Sequence, residues 1–311
     1  MNKPLAGIYA ALTTPFAGDD IATDRIRDNV RRLNATGLAG YLVLGSTGES
    51  VSLSDAESLA LVDAVLEAAG PSKKVLVGTA RESTRGTIEF TNSLPAHGIA
   101  AVLVRPPSYF KSKLTREALK AHYLAVAEAS RLPVLIYNMP QNTGISLEPR
   151  FVVDLAPHPN IIGLKESSGS IAFLEEIVRQ VPDRFHYFLG SGHVVYPGLE
   201  MGADGAILAV ANAAPSVCVV MAAAGYPGDA RKGDVIQGID AAESLGGCVF
   251  QAGTRIGSAG LETAGGRVLG VTSSGRTLAS AIEHTYAAVS RVQFAGMHFR
   301  TDIGRKGLKR W

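Results

Sequence analysis

Eight short apolar runs alternate with segments of helical periodicity over the first two thirds of the chain. They are residues 7–12, 40–44, 74–78, 100–104, 133–137, 161–165, 187–190 and 205–209. Residues 54–69 illustrate the helical segments, because their apolar side chains share one face and Ser54 and Glu57 have the spacing of a capping box. Strands that alternate with helices predict an α/β fold, here a (β/α)8 barrel.

The ends of the predicted strands carry polar side chains that could take part in catalysis. In (β/α)8 barrels the chemistry lies at the carboxyl ends of the strands. Lys165 ends the apolar run 160–165. Burial there lowers the pKa of an amine, and a free amine can attack a ketone to form a Schiff base. A solvated lysine at a strand end is the alternative for this residue taken alone.

Two further segments end predicted strands in the same way. Gly45-Ser46-Thr47-Gly48 follows one apolar run, and glycines, exposed amides and two hydroxyls suit a carboxylate ligand. Tyr137 ends another run and places a phenol where it can relay protons. An ordinary turn and a tyrosine that caps the core are the structural alternatives.

Composition limits the classes of partner. The chain has 311 residues, 46% of them hydrophobic, which is enough for a sizeable core. A net charge of +2 gives no argument for a nucleic-acid or membrane partner. Two cysteines, Cys218 and Cys248, form neither a metal motif nor a disulfide framework, so we expect a cytoplasmic protein without a metal.

In their order along the chain, these segments resemble one family, the class I pyruvate-dependent aldolases. That family includes dihydrodipicolinate synthase, N-acetylneuraminate lyase and 4-hydroxy-2-oxoglutarate aldolase. The resemblance covers residues 5–215 and extends to Thr13-Thr14-Pro15-Phe16 and to residues 205–212. It implies a lyase that forms a Schiff base and acts on a small 2-oxo acid, with pyruvate, glyoxylate or an aldehyde as partner molecules. It also implies a homo-oligomer and no cofactor.

The resemblance assigns roles to individual residues. Lys165 would form the Schiff base, and Tyr137 would transfer protons. Ser46 and Thr47 match the pair that binds the substrate carboxylate, with Thr47 as the surer contact and a catalytic residue. The backbone positions Gly190 and Ile207 would line the pyruvate pocket.

Departures from the family pattern bear on the substrate. Asn142 stands where dihydrodipicolinate synthases have an arginine that binds the second substrate's carboxylate, and an amide cannot replace that charged contact. The segments 82–84 and 158–160 are also more similar to 4-hydroxy-2-oxoglutarate aldolase. For the tyrosine that completes the family's proton relay, either Tyr109 serves with a shift of one residue or Ser108 replaces it. Arg105 could compensate for the missing arginine.

The chain changes character after residue 215. Glycine becomes more frequent, and the charge balance changes from slightly acidic to basic. The motifs within 225–234, 249–254, 265–272 and 293–300 resemble the C-terminal domain of phosphoribosylamine–glycine ligase. Residues 277–294 predict one amphipathic helix, and Gly265-Gly266 predicts a turn.

We therefore predict two domains. Residues 1–215 would form an aldolase barrel that lacks its usual closing C-terminal helices, and residues 216–311 would form a small α+β domain. Two other functions stay open. The chain could be a 2-oxo-acid-binding protein without catalysis, or a fragment of the ligase without its own ATP site.

Overall fold

The computed structural model describes residues 3–95, 97–212, 216–275, 277–305 and 308. The chain divides into two units, Met1–Asn212 and Ala213–Trp311. Each unit has its own hydrophobic core.

The first unit contains a closed barrel of parallel strands. The described strands of this unit are β1 (Gly7–Ala11), β2 (Phe16–Ala17), β3 (Asp20–Ile21), β4 (Gly40–Val43), β5 (Lys74–Gly78), β6 (Ile99–Val104), β7 (Val134–Asn138), β8 (Ile161–Glu166), β9 (His186–Leu189) and β10 (Gly205–Leu208). The barrel follows the order β1-β10-β9-β8-β7-β6-β5-β4, while β2 and β3 form a separate hairpin. β1 pairs with both β4 and β10 and so closes the barrel.

Helices follow most of the barrel strands. They are α1 (Thr23–Asn34), α2 (Asp55–Ala68), α3 (Thr84–Ser93), α4 (Arg116–Ala129), α5 (Pro140–Thr143), α6 (Pro149–Leu155), α7 (Ile171–Ile177) and α8 (Val195–Glu200). Short 3-10 turns occupy Ser46–Gly48, Ser50–Ser52, Lys111–Lys113, Gly192–Val194 and Val210–Asn212. Ser54 and Glu57 form the predicted capping box at the start of α2.

The hydrophobic residues of the barrel form two layers. The larger cluster lies between the strands and the surrounding helices, as expected for strands whose outer faces pack on amphipathic helices. The smaller cluster fills the barrel interior and includes Tyr9, Tyr137, Phe188 and Ile207. The interior is therefore packed, and a site can form only at its ends.

The (β/α)8 barrel is confirmed, and so is the prediction that its usual closing helices are missing. After β10 the described residues contain only the 3-10 turn Val210–Asn212 before the strand that begins the second unit. The Asn212 amide donates hydrogen bonds to the carbonyls of Ala209 (2.8 Å) and Ala11 (2.5 Å). These bonds attach the end of β10 to the end of β1.

The second unit is a small antiparallel α+β domain. Its described elements are β11 (Ser216–Ala222), α9 (Ile239–Glu243), β12 (Cys248–Gln251), β13 (Thr254–Gly257), β14 (Gly260–Thr263), β15 (Arg267–Ser274), α10 (Leu278–Val289) and β16 (His298–Phe299). One sheet has the order β12-β15-β11-β16, and β13 and β14 form a hairpin.

The predicted turn and helix of this unit are both present, although the strands beside the turn pair differently from a simple hairpin. Gly265-Gly266 connects β14 to β15, but the two strands belong to different sheets. The helix α10 covers Leu278–Val289 within the predicted range. No helix in the described ranges is both long and apolar enough to cross a membrane.

A substitution of Gly78, at the end of β5, tests how closely β5 approaches the segment after β4. A Cβ at this position would lie 2.0 Å from the Leu44 carbonyl oxygen, which belongs to the neighbouring chain segment. We expect Gly78→Ala to lower the free energy of unfolding of the barrel by about 1–3 kcal/mol, since backbone must shift to admit the methyl group. Urea denaturation followed by circular dichroism measures this change.

Gly37→Ala is the matched control, because a Cβ there meets nothing within 4 Å. We expect its effect to stay within about 0.5 kcal/mol, as for most surface substitutions. Equal effects of the two variants would contradict the close approach of β5 and residue 44.

Candidate active site

Lys165 and Tyr137 lie side by side at the carboxyl ends of β8 and β7, where the register pairs them directly. Lys165 is only 4% exposed, and its Nζ lies 4.4 Å from the centre of the Tyr137 ring. Burial lowers the pKa of the Lys165 amine, and the Tyr137 phenol opposes this shift in part. The site therefore favours the neutral amine, which is the nucleophilic form.

Ser46 reaches the same phenol from the other side of the barrel mouth. Its Oγ lies 3.3 Å from the Tyr137 hydroxyl, and either oxygen can be the donor. Together they line a narrow pocket of about 30 Å³. The chain Ser46–Tyr137–Lys165 thus connects two hydroxyls with a buried amine, an arrangement that can move protons at the amine.

The turn that carries Ser46 is shaped by backbone strain and one buried hydrogen bond. Leu44, just before the turn, has φ +58°, and Glu49, just after it, has φ +53°, both unusual for residues other than glycine. The Thr14 hydroxyl donates to the Gly48 carbonyl at 2.6 Å. Thr14 belongs to the motif Thr13-Thr14-Pro15-Phe16 but was not predicted to support the site.

The other residues with predicted roles take different positions. Thr47 lies half-buried in the turn beside Ser46, which is itself the one hydrogen-bonded to Tyr137. Ile207 is buried in the same interior cluster as Tyr137. Gly190 follows β9, and its amide donates to the Glu166 carbonyl at 2.6 Å. The amide of Gly190 is therefore already engaged within the protein.

A wider cleft of about 730 Å³ opens in front of the narrow pocket. Ser46 and Arg105 are among the residues that line both. The wide cleft, but not the narrow pocket, is also lined by Asn142, Tyr109 and Lys111. The cleft is thus a space for the part of a ligand that extends away from Lys165.

Glu82 organises one wall of this cleft. Its carboxylate accepts hydrogen bonds from the backbone amides of Ser108 (2.8 Å) and Tyr109 (2.9 Å), and from Arg105 Nη1 (2.8 Å). Burial acts to raise the pKa of Glu82, but these hydrogen bonds outweigh it and lower the pKa to about 2. Glu82 is therefore ionised at neutral pH and fixes the segment 105–109.

The contacts of Glu82 bear on the two candidates for the family's proton-relay tyrosine, Ser108 and Tyr109. The Ser108 hydroxyl donates to Glu82 at 3.2 Å, and Arg105 is paired with the same carboxylate. The Tyr109 ring is 79% exposed and packs edge-to-face on Phe110, with centroids 4.9 Å apart. Tyr109 thus stands at the outer rim of the cleft rather than beside Tyr137.

Glu166, the residue after Lys165, forms a second support that sequence reasoning missed. Its Oε1 accepts from Asn138 Nδ2 (3.0 Å) and from the Ser168 amide (2.8 Å). Asn138 Oδ1 in turn accepts from the Leu147 amide at 3.0 Å. The network joins the ends of β7 and β8, where the reactive side chains sit. The signal was available, since Glu166 and Asn138 directly follow Lys165 and Tyr137.

The two segments that resemble 4-hydroxy-2-oxoglutarate aldolase, residues 82–84 and 158–160, also make contacts within the protein. Asn160 Nδ2 donates to carbonyls at residues 127, 130 and 132, and the Asn160 backbone amide donates to His158 Nδ1 at 3.2 Å. Thr84 Oγ1 lies 2.9 Å from His122 Nδ1. Asn142, which stands where dihydrodipicolinate synthases have an arginine, is exposed and lines the cleft.

Comparison with protein families gives two matches. Residues 4–239 match the Dihydrodipicolinate synthetase family, and residues 216–306 match the C domain of phosphoribosylglycinamide synthetase. A 4-hydroxy-tetrahydrodipicolinate synthase from Methanospirillum hungatei is 36% identical over 227 residues, 72% of this chain and 77% of the relative. The enzyme of the same name from Thermomicrobium roseum is 37% identical over 237 residues, 75% of this chain and 77% of the relative.

Solved structures agree with these matches in fold. A dihydrodipicolinate synthase from Bacillus anthracis has a TM-score of 0.64 and 28% identity, and the alignment covers 68% of this chain and 72% of that one. YagE, a prophage protein of the same family from E. coli K12, was solved in complex with pyruvate. It has a TM-score of 0.64 and 30% identity over 68% of this chain and 72% of its own.

Glu82 makes the stability of the barrel depend on pH in a defined direction. Its folded-state pKa lies below the value of an unfolded glutamate, so its contribution is present above that unfolded value and is lost as pH falls toward 2. We expect the stability difference between wild type and Glu82→Gln to shrink as pH falls from 5 to 3. Urea denaturation at each pH measures this difference.

Glu89→Gln, an exposed substitution on α3, is the control. We expect it to follow the wild-type pH profile. A constant difference between wild type and Glu82→Gln over this range would show that the Glu82 carboxylate does not hold the segment 105–109 through its charge.

Proposed function

The chain belongs to the Dihydrodipicolinate synthetase family, and from this premise we propose that its barrel is a class I aldolase that forms a Schiff base between Lys165 and a small 2-oxo acid. One observation carries the proposal. A buried lysine amine, with its pKa lowered by burial, lies 4.4 Å from the ring of a tyrosine whose hydroxyl contacts Ser46.

The first step is attack on the ketone. The lone pair of the neutral Lys165 nitrogen forms a bond to the carbonyl carbon, and the carbonyl oxygen takes up a proton as it gains negative charge. The Tyr137 hydroxyl is placed to supply this proton and to recover one from the nitrogen, with Ser46 as its hydrogen-bond partner. The Tyr137 hydroxyl then donates a proton to the carbinolamine hydroxyl, which leaves as water, and the products are the protonated imine and the Tyr137 phenolate.

The imine then acts as an electron sink. In the cleavage direction, the electron pair of the breaking carbon–carbon bond moves toward the imine nitrogen and forms an enamine. The hydroxyl of the substrate gives its proton to the Tyr137 phenolate and becomes the carbonyl of the released aldehyde. Protonation of the enamine carbon and hydrolysis of the imine release the 2-oxo acid and restore the amine. Condensation follows the same steps in reverse.

The surrounding residues divide the remaining tasks. The Ser46 and Thr47 hydroxyls suit the carboxylate beside the ketone, and we assign that contact to Thr47 because Ser46 is hydrogen-bonded to Tyr137. Ile207, in the interior cluster with Tyr137, and the backbone at Gly190, bonded to Glu166, would lie beside the 2-oxo acid on the side of β9 and β10. Substrate carbons beyond the reacting bond occupy the wide cleft.

Asn142 guides the choice of substrate. It is exposed in the cleft and offers a neutral amide for any group at the far end of the substrate. A substrate that depends on a bidentate arginine contact is therefore bound poorly. We propose 4-hydroxy-2-oxoglutarate or a similar 2-oxo acid as substrate, cleaved to pyruvate and glyoxylate in the case of 4-hydroxy-2-oxoglutarate. The two relatives described above are named for the synthase reaction, so the proposed substrate differs from theirs.

Borohydride trapping tests the nucleophile. We expect wild type to gain a stable pyruvate adduct on the peptide containing Lys165, and Lys165→Arg to gain none, because guanidinium stays protonated and cannot attack a ketone. Peptide mass mapping after reduction reads the adduct, and circular dichroism checks that the variant is folded. A non-catalytic binding protein would bind pyruvate or form the adduct but cleave no substrate.

Lys74→Arg, at the exposed start of β5, is the matched control and should form the adduct like wild type. Lys165→Met serves as a second variant if arginine is not accommodated in the buried position. An adduct on either Lys165 variant would assign the chemistry to another lysine.

Substrate choice is tested at Asn142. We expect wild type to cleave 4-hydroxy-2-oxoglutarate with a higher kcat/KM than it condenses pyruvate with aspartate semialdehyde. Asn142→Arg should raise kcat/KM for aspartate semialdehyde by about 10- to 150-fold, the equivalent of a charge-assisted contact of about 1.5–3 kcal/mol. Coupled assays of both reactions measure these values.

Ser146→Arg adds the same charge at an exposed position outside the lining of the cleft and should change neither value. The substrate proposal is wrong if wild type already prefers aspartate semialdehyde and Asn142→Arg changes nothing. The imine chemistry would be unaffected by that result.

A further inference from the structure

Lys111 differs from the other basic residues of the wide cleft in having no acidic partner. Arg81 is bound to Asp55 at 2.7 Å, and Arg105 is bound to Glu82 at 2.8 Å. Both guanidinium charges are thus compensated within the protein. For Lys111, no carboxylate in the described ranges lies within ion-pair distance of Nζ. Its ammonium is the uncompensated positive charge on the cleft wall.

The exposed side chain of Lys111 packs on Gly144. A Cβ at Gly144 would lie 2.9 Å from Lys111 Nζ and 3.2 Å from its Cδ and Cε, so the aliphatic stem lies against the glycine backbone. Gly144 has φ +66° and ends α5 in the left-handed region, which glycine adopts without strain. The packing holds the ammonium near the segment that carries Asn142, two residues before Gly144.

We propose that Lys111 binds the distal carboxylate of the substrate and so supplies the positive charge that Asn142 lacks. The inference deepens the proposed function and rests on it, since it assumes that the 2-oxo end of the same molecule is held at Lys165. The substrate class is a short 2-oxo dicarboxylate, such as 4-hydroxy-2-oxoglutarate.

The shape of the site supports a ligand with two differently held ends. The pocket beside Tyr137 has about 30 Å³ and the cleft where Lys111 lies has about 730 Å³, so of these two spaces the cleft is the one that can hold the distal end of a ligand. A single ammonium on a flexible stem attracts a carboxylate without imposing the bidentate geometry of an arginine. It also repels an ammonium group, which aspartate semialdehyde carries beside its carboxylate. Lys111 therefore favours a plain carboxylate.

A pair of ligands of equal length isolates this contact. 2-Oxoglutarate and 2-oxopentanoate share the 2-oxo acid end and the five-carbon chain, but only 2-oxoglutarate has a distal carboxylate. Neither carries the 4-hydroxyl group, so retro-aldol cleavage does not occur and binding is measured by itself. Calorimetric titration of wild type, Lys111→Gln and Lys113→Gln with each ligand gives the dissociation constants.

We expect wild type to bind 2-oxoglutarate about 2- to 5-fold more tightly than 2-oxopentanoate, the range for an exposed charge pair. Lys111→Gln should abolish this preference and leave the affinity for 2-oxopentanoate unchanged. Lys113→Gln is the matched control, because Lys113 lies in the same 3-10 turn and is exposed outside the lining of the cleft. It should keep the wild-type preference.

Three results overturn the inference. They are a wild type without preference, a preference that survives Lys111→Gln, and an equal loss of preference in Lys113→Gln. Survival in Lys111→Gln would place the carboxylate elsewhere, for example at Arg105. Borohydride reduction of each complex reports imine formation at Lys165 separately. Absence of a reduced adduct on Lys165 would reject the proposed function, while the ratio of the two affinities would still decide the role of Lys111.

Discussion

Closure of the barrel between β1 and β10 is the constraint on which the rest of the first unit depends. Residues 7–10 pair with residues 205–208, so the first and last parallel strands meet. Because all eight strands run in the same direction, their carboxyl ends form one rim. Ser46 follows β4, and Tyr137, 91 residues later, lies near the end of β7. The strands β5 and β6 separate them in the sheet, and curvature of the barrel brings the two hydroxyls to 3.3 Å.

The rim separates two electrostatic environments. Inside the barrel mouth, burial lowers the pKa of Lys165 and so favours the uncharged amine, which is the reactive form. At its outer wall, hydrogen bonds keep Glu82 ionised and pair it with Arg105. A charged carboxylate close to the amine would instead favour the protonated lysine and oppose nucleophilic attack. The backbone amides of residues 108 and 109 donate hydrogen bonds to Glu82 and stabilise its negative charge at the outer wall.

The strands were predictable because each apolar run is short, buried and bounded by turn residues. Lys165 and Tyr137 were predictable for the same reason, since a polar residue at the end of such a run must lie at the rim. The contacts of Glu82, Thr14 and Lys111 were not, because each depends on a partner that is distant in sequence. Thr14 and Gly48, for example, are 34 residues apart and meet through the register of β1 and β4. Local pattern carries no information about such pairs.

The same reasoning explains why residues 216–239 match two families at once. An apolar run such as 216–222 fits a buried element of either fold, and its partners decide between them. Here β11 pairs with β15 and β16 in the antiparallel sheet of the second unit. The barrel is already closed at Leu208, and Asn212 attaches the end of β10 to β1. Every residue proposed to touch the substrate precedes that point. Replacement of the closing helices therefore begins after the last residue that we propose to contact the substrate.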